Sequence, residues 1–183
     1  PLTIRQIPIA MKRRTFIRNT AAFLPGIFLA PSLLSGCKRE DLSESTKTVV
    51  IIGAGECGVR AAFSLRENGY SGEVKLIGAE ASPPYERPPL SKAYLAGKCV
   101  LDDIAIRSTD FYSKQGIQLL NAQVEAIVRS EGNVVLDTGE KLAYDKLALC
   151  TGARPRRLTV PGADLHGVYY LRTAAAVERI RMA

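Results

Sequence analysis

The sequence contains no tryptophan, a single histidine and only four cysteines among its 183 residues. His166 lies in a loop-like stretch with no accompanying nucleophile or carboxylate pattern. No His/Cys spacing matches a metal-ligand set, so we expect no metal site. The cysteines form no CxxC or CxxxxC motif, so their spacing predicts no close thiol pair. We interpret Cys57, Cys99 and Cys150 as small buried or loop residues.

Acidic residues are absent from the first 36 positions, although the whole chain has 25 Lys+Arg, 18 Asp+Glu and a net charge of +7. Five of the basic residues lie in that stretch, so the remaining 147 residues carry 20 basic against 18 acidic side chains. This balance gives little support to nucleic-acid binding, and we expect no nucleic-acid partner. Within these 147 residues, Arg154, Arg156 and Arg157 form a basic cluster, which could face an acidic redox partner or simply be solvated.

Residues 1–36 have the charged, apolar and small-residue order of a secretory signal. Arg13-Arg14 followed by Phe16 resembles the twin-arginine export signal. The apolar run that follows is about 14 residues long, which is shorter than the roughly 20 residues that span a bilayer. The alternative interpretation is an amphipathic or short buried helix.

Leu34-Ser35-Gly36-Cys37 resembles the bacterial lipobox, whose cysteine becomes the lipidated N-terminus. We therefore expect an exported lipoprotein anchored in the membrane through Cys37, on the periplasmic or cell-surface side. The alternative is a chance cysteine. Residues 1–10 precede Met11, the expected start, and are not predicted to be part of the folded domain. The polar residues 37–47 are predicted to form a tether.

A β-branched run at Thr48–Ile52 predicts a strand buried on both faces. Gly53-Ala54-Gly55-Glu56-Cys57-Gly58 follows directly and opens a predicted helix over Glu56–Glu67, which Gly69 ends. A second strand is predicted over Glu73–Ile77. A GxGxxG motif alone is weak, but here it lies between a strand and a helix within a βαβ unit, which is the context of dinucleotide binding.

Each glycine of this motif has a physical task in dinucleotide binding. Gly53 permits the tight turn, Gly55 lets the backbone approach a pyrophosphate, and Gly58 allows the helix to pack on the strand. The pyrophosphate would rest on amides at the helix N-terminus. Glu80, after the second strand, is placed to bind a ribose diol. The alternative is a βαβ unit whose glycines are only structural.

The segment Pro84-Tyr85-Glu86-Arg87-Pro88-Pro89-Leu90-Ser91-Lys92 is extended by its prolines, and Ser91 is predicted to cap a short helix over residues 92–95. Together with the segments at 144–156 and 168–173, it closely resembles the FAD-dependent ferredoxin, rubredoxin and putidaredoxin reductases of the pyridine nucleotide-disulfide oxidoreductase superfamily. The resemblance extends from about Thr48 to Met182. Taken alone, Lys92 would be interpreted as a solvated lysine.

The resemblance implies a role for individual residues. Glu80 would bind the adenosine ribose, Val124 the adenine through its backbone, and Lys92 would lie nearest the flavin, where a cation stabilises negative charge on the reduced ring. Cys57 and Cys150 replace the commoner alanines, which a thiol of similar size permits. The residues placed along the FAD are Gly53, Ala54, Gly55, Cys57, Gly58, Glu80, Arg87, Lys92, Val124 and Arg154.

The predicted fold class is α/β, a Rossmann-like FAD-binding domain with a parallel sheet and a β-meander insertion, here incomplete. Residues 48–160 are predicted to form the first part of this domain, and residues 161–183 the link toward an absent NAD(P)H domain, since no second GxGxxG occurs. We therefore expect weak or no retention of FAD by this chain.

The resemblance implies the FAD-binding portion of an NAD(P)H-dependent oxidoreductase that passes electrons through FAD to an iron–sulfur-type acceptor protein. Lys92 is the residue expected to tune the flavin. The alternative is a non-catalytic, lipid-anchored remnant that binds a nucleotide or a partner.

Overall fold

The computed structural model describes residues 46–183. The predicted export signal, the lipidation site Cys37 and most of the predicted tether lie outside the described residues. Within residues 46–183, no helix is both long and apolar enough to cross a membrane.

A four-stranded parallel sheet forms the centre of the fold. Its strands are β1 (Thr48–Ile52), β2 (Glu73–Gly78), β3 (Ile117–Asn121) and β7 (Lys146–Leu149). They lie in the order β3-β2-β1-β7, so consecutive strands extend from β1 toward one edge and the last strand pairs on the other side of β1. Four of the five residues of β1 are buried, as its continuous β-branched sequence predicts.

Helix α1 (Glu56–Glu67) covers one face of this sheet and confirms the helix predicted from the sequence. Its buried side includes Val59 and Phe63, which pack in a cluster with residues from the sheet. The helix ends where Gly69 adopts φ +81°, a conformation that glycine reaches without steric cost.

The side chain of Arg66, in the last turn of α1, connects this helix to two loops. It donates hydrogen bonds of 2.5 to 2.9 Å to the carbonyl oxygens of Tyr70 and Gly72, before β2, and of Gln115 and Gly116, before β3. Four backbone acceptors are thereby satisfied by one guanidinium group, which positions both loops against the end of the helix.

Three antiparallel strands cover the other face of the parallel sheet, which confirms the predicted β-meander. Val134, Leu136 and Leu142 pack there against Val50 and Ile77 of the parallel sheet. The sheet is thus enclosed by helices on one side and by the meander on the other. The meander strands are β4 (Val124–Val128), β5 (Asn133–Leu136) and β6 (Lys141–Ala143).

A third cluster joins the proline-rich segment to the C-terminal helix α3 (Ala174–Arg181). Tyr85 and Leu90 are buried against Val177 of this helix. The short helix predicted after Ser91 is wrong: a 3₁₀ helix occupies Pro88–Ser91 instead and is followed by turns. The two prolines occupy the first two positions of this 3₁₀ helix, which thus begins four residues before the predicted one. The helix ends before Lys92, whose φ of −127° and ψ of −109° are not helical.

Helix α2 (Thr109–Lys114) places Tyr112 in the core, where its ring stacks on Phe63 at 5.6 Å between centroids. The Tyr112 side chain is buried, and its hydroxyl has no hydrogen-bond partner within the described part of the chain. A buried hydroxyl without a partner carries a desolvation cost, and burial raises the pKa of Tyr112 to about 12.

Replacing Tyr112 with phenylalanine is therefore expected to preserve the fold and to raise the free energy of unfolding by up to about 1 kcal/mol. Urea unfolding followed by circular dichroism measures this change. A loss of more than about 1 kcal/mol would contradict the absence of a partner for the hydroxyl.

Candidate functional site

The glycine turn after β1 is packed so closely that two of its positions exclude any side chain. Gly53 has φ +108°, and its amide donates a 2.8 Å hydrogen bond to the carbonyl of Ile77. A Cβ at Gly53 would lie 2.2 Å from the carbonyl oxygen of Cys150, and one at Gly58 would lie 1.9 Å from that of Gly53. These two glycines thus allow β1, α1 and β7 to approach one another.

Gly55 differs, because the space next to it is open. It is the N-cap residue of α1, with φ −84°, and no heavy atom lies within 4 Å of the position that a Cβ would take. The first amides of a helix have no intrahelical acceptors, and the helix dipole favours an anion there. The open space at Gly55 therefore leaves room for a phosphate next to the backbone.

A solvent-open cleft of about 160 Å³ lies along the carboxyl ends of the parallel strands. The turns after β1, β2 and β7 all line it. It includes the point between β1 and β7 where the strand order reverses, which is where open α/β sheets bind their ligands. Of the predicted site residues, those that line the cleft are Gly53, Ala54, Gly55, Glu80 and Arg87.

Glu80, Tyr85 and Arg87 form a hydrogen-bonded cluster on the wall of this cleft. One Glu80 oxygen accepts a 2.6 Å hydrogen bond from Arg87, and the other accepts one from the Tyr85 hydroxyl. The arginine also lies over the Tyr85 ring, 5.3 Å from its centroid. Each carboxylate oxygen has a further acceptor position, so Glu80 can still accept hydrogen bonds from a ribose diol.

Burial and the hydrogen bond to Glu80 raise the pKa of Tyr85 to about 12. Tyr85 therefore remains protonated at neutral pH and donates to the carboxylate. Its hydroxyl also accepts a 3.0 Å hydrogen bond from the amide of Ala174, at the start of α3. The cluster thus connects the cleft wall to the C-terminal helix.

Arg172 lines the cleft, although it is not among the site residues predicted from the sequence. Its carbonyl accepts a 2.7 Å hydrogen bond from Arg87. Its guanidinium lies next to Gly152, where a Cβ would be 2.9 Å from the arginine Nη2 atom. Arg172 belongs to the segment 168–173 that carries part of the family resemblance, and this was the one signal for it in the sequence. No sequence pattern near Arg172 predicts that its side chain lies next to the turn after β7.

The thiols of Cys57 and Cys150 lie closer together than the sequence predicts. The spacing of the cysteines predicts no close thiol pair, but the two sulfur atoms are 3.5 Å apart. Cys57 lies in the first turn of α1, and Cys150 directly follows β7. The prediction failed because β1 and β7 are adjacent and parallel, so residues 93 positions apart meet at their carboxyl ends.

Five predicted site residues are not among those that line the cleft: Cys57 and Gly58, which belong to the glycine turn, and Lys92, Val124 and Arg154. Lys92 is exposed after the 3₁₀ helix, and Arg154 is exposed in the irregular segment after β7. Val124 begins β4 and is half-buried in the cluster under the meander. Their predicted roles toward a cofactor remain predictions.

The donor set fits the adenosine diphosphate part of a dinucleotide. Gly55 offers an open helix N-terminus for the phosphates, and Glu80 offers acceptors for a ribose, both on the same cleft. A model of the family described as "Pyridine nucleotide-disulphide oxidoreductase" matches residues 47–183. The chain belongs to this family.

Individual relatives agree with this membership. A putidaredoxin reductase of Pseudomonas putida is 45% identical over 137 residues, which is 73% of this chain and 32% of that protein. A rubredoxin-NAD(+) reductase of Pseudomonas putida is 43% identical over 134 residues, 73% of this chain and 35% of that protein. The chain thus spans about a third of the length of these curated relatives.

Solved structures of the same family have a matching fold. A ferredoxin reductase from Rhodopseudomonas palustris superposes with a TM-score of 0.71 at 41% identity, over 74% of this chain and 34% of that one. The putidaredoxin reductase in a covalent complex with putidaredoxin gives a TM-score of 0.68 at 43% identity, over 75% and 34%. The predicted α/β, Rossmann-like fold is confirmed.

Proposed function

We propose that this chain is the FAD-binding portion of an NAD(P)H-dependent flavoprotein oxidoreductase. The observation that carries the proposal is the glycine turn at the point where the strand order reverses, with open space at Gly55 and with Glu80 on the same cleft. The relatives named as ferredoxin, rubredoxin and putidaredoxin reductases support the reaction class.

The residues of this chain would bind and orient the adenosine half of the FAD. Backbone amides at the start of α1 would hold the pyrophosphate, favoured by the helix dipole. Glu80 would accept hydrogen bonds from the ribose diol, held in position by Arg87 and Tyr85. The bound FAD would supply the redox chemistry, and Lys92 is proposed to stabilise negative charge near the flavin in the whole protein.

The electron acceptor proposed for the whole protein is an iron–sulfur or rubredoxin-type protein, because that is the partner class named in the relatives. Arg154 and Arg156 are exposed and could contact such a partner if it is acidic. The segment before residue 46 supports a further proposal, export by the twin-arginine route with a lipid anchor at Cys37.

Flavin titration of the 183-residue chain tests the cofactor proposal. FAD contains the pyrophosphate and adenosine that the cleft is proposed to recognise, whereas FMN lacks the adenosine and has a single phosphate. We expect FAD to be lost during gel filtration but to bind at equilibrium at least tenfold more tightly than FMN, about 1.4 kcal/mol. Flavin fluorescence measures both affinities, and equal affinities, or no binding of either flavin, would contradict the proposal.

The alternative is a non-catalytic lipid-anchored remnant. Sequencing the DNA downstream of the Ala183 codon distinguishes it from the oxidoreductase. An in-frame continuation with a second glycine-rich βαβ motif supports the oxidoreductase. A stop codon at that position in the native gene supports the remnant.

A further inference from the structure

Two cysteines from distant parts of the chain meet at the glycine turn. The Cys57 thiol lies 3.5 Å from the Cys150 sulfur and donates a weak S–H···S hydrogen bond to it. Cys57 is exposed, whereas Cys150 is partly buried. The third cysteine of the described residues, Cys99, is partly buried in the cluster under α3.

The backbone at both cysteines is held by regular structure. The amide of Cys150 donates a 2.8 Å hydrogen bond to the carbonyl of Ile52, at the end of β1. Cys57 lies in α1 next to Gly58, which packs directly on Gly53. Because β1 is next to β7 and leads directly into the glycine turn, the separation of the two thiols is set by the sheet and the helix.

The pair also lies on the wall of the cavities that the site uses. Cys150 lines the dinucleotide cleft, and both cysteines line an adjoining solvent-open pocket together with Gly55, Glu86 and Arg172. A small oxidant can therefore reach Cys57 from solvent. The sulfurs are already in contact at 3.5 Å, and forming a disulfide brings them to the bonded distance of about 2 Å.

We propose that Cys57 and Cys150 are a redox modification site, at which a hydroperoxide converts the two thiols to a reversible disulfide. The bond would fasten the first turn of α1 to the end of β7. This inference is independent of the proposed function, because it concerns a covalent link between two residues of this chain and is tested by detecting that link.

The chemistry proceeds in two balanced steps. The Cys57 sulfur attacks one oxygen of the hydroperoxide, the O–O bond breaks, an alcohol or water leaves, and Cys57 becomes a sulfenic acid. The Cys150 sulfur then attacks the Cys57 sulfur, forming the S–S bond and releasing water. The two thiols lose two electrons and two protons, and the peroxide is reduced. A dithiol reductant reverses the link through a mixed disulfide.

The order of the steps follows from the surroundings of each thiol. Cys57 is the exposed partner and meets the oxidant first. Burial raises the pKa of the Cys150 thiol, so Cys150 reacts less readily with the oxidant than the exposed Cys57. It then acts as the resolving residue, since reactivity with oxidants follows thiolate character and exposure.

The test is to titrate the reduced 183-residue chain with hydrogen peroxide, block remaining thiols by alkylation and map the peptides by mass spectrometry. We expect a disulfide-linked peptide pair containing Cys57 and Cys150 at near-stoichiometric peroxide, and its loss after dithiothreitol. The link closes a loop spanning 93 positions. Oxidation is therefore also expected to raise the melting temperature by roughly 5–15 °C.

Single variants provide the controls. Cys57→Ala and Cys150→Ala should each abolish the linked peptide and the rise in melting temperature, and Cys99→Ser should leave both unchanged. Circular dichroism confirms that each variant is folded. Oxidation of Cys57 to a sulfinic acid while Cys150 remains alkylated, or linkage of either residue to Cys37 or Cys99 instead, would overturn the proposal.

Discussion

Replacing Gly58 with alanine is expected to destabilise the fold by more than about 4 kcal/mol, enough to leave little folded protein. The new Cβ would lie 1.9 Å from the carbonyl oxygen of Gly53, which is a backbone atom held in the turn. Helix propensity acts in the opposite direction, since alanine within a helix is favoured over glycine by about 1 kcal/mol. A decrease in the free energy of unfolding would therefore show that the close packing of α1 on the turn outweighs helix propensity.

Gly55→Ala is the matched control in the same turn. Nothing lies within 4 Å of its Cβ position, and its φ of −84° suits any residue. The fold should therefore tolerate the change at a cost of about 1 kcal/mol or less. The methyl group would occupy the space proposed for the pyrophosphate, so the preference for FAD over FMN should disappear.

Urea unfolding followed by circular dichroism measures both glycine variants, and flavin fluorescence measures their binding. Two variants with the same unfolding midpoint would show that the close approach at Gly58 does not exist in solution. A Gly55→Ala variant with unaltered flavin preference would place the pyrophosphate elsewhere.

Replacing Arg87 with alanine is expected to lower the free energy of unfolding by about 2 kcal/mol. The change removes the 2.6 Å ion pair with Glu80, the hydrogen bond to the Arg172 carbonyl and the contact with the Tyr85 ring. The side chains of Arg87 and Glu80 are only about a third exposed, at 30% and 32%, so water replaces these contacts incompletely.

Lys141→Ala is the control for a surface ion pair. Lys141 and Glu131 are 3.4 Å apart and more than half exposed. This variant should therefore change stability by less than about 0.5 kcal/mol. Thermal and urea unfolding compare the two variants.

Hydrogen exchange adds a local measurement to this comparison. It should show faster exchange in α3 for the Arg87 variant, because Arg87 and Tyr85 hold the residues that begin this helix. Equal stability losses in the Arg87 and Lys141 variants would contradict the proposed role of the cluster.

The features that the sequence predicted correctly depend on short-range patterns. The run Thr48–Ile52, the glycine motif and the helix to Glu67 are encoded within 20 consecutive residues, and the structure has them at the predicted bounds. The meander was predictable for the same reason, since alternating strands and turns follow one another between residues 124 and 143.

The features that the sequence did not predict depend on distant residues that fold together. The contact between Cys57 and Cys150 requires β1 and β7 to be neighbours, and no local pattern specifies which strands pair. The role of Arg172 likewise depends on the packing of α3 near Arg87. The helix predicted after Ser91 does not form for a local reason: the prolines begin a 3₁₀ helix at Pro88, and that helix ends at Ser91.

The pairing of β1 with β7 has a consequence for the order in which the chain folds. The other partner of β1 is β2, which begins 25 positions away at Glu73, whereas Thr48 and Asp145 are 97 positions apart. Closing the longer loop costs more chain entropy, and non-local pairings form slowly. The cleft between β1 and β7 is therefore expected to form late in folding. A ligand bound in the cleft would stabilise the folded chain by holding β7 in the sheet after it has paired with β1.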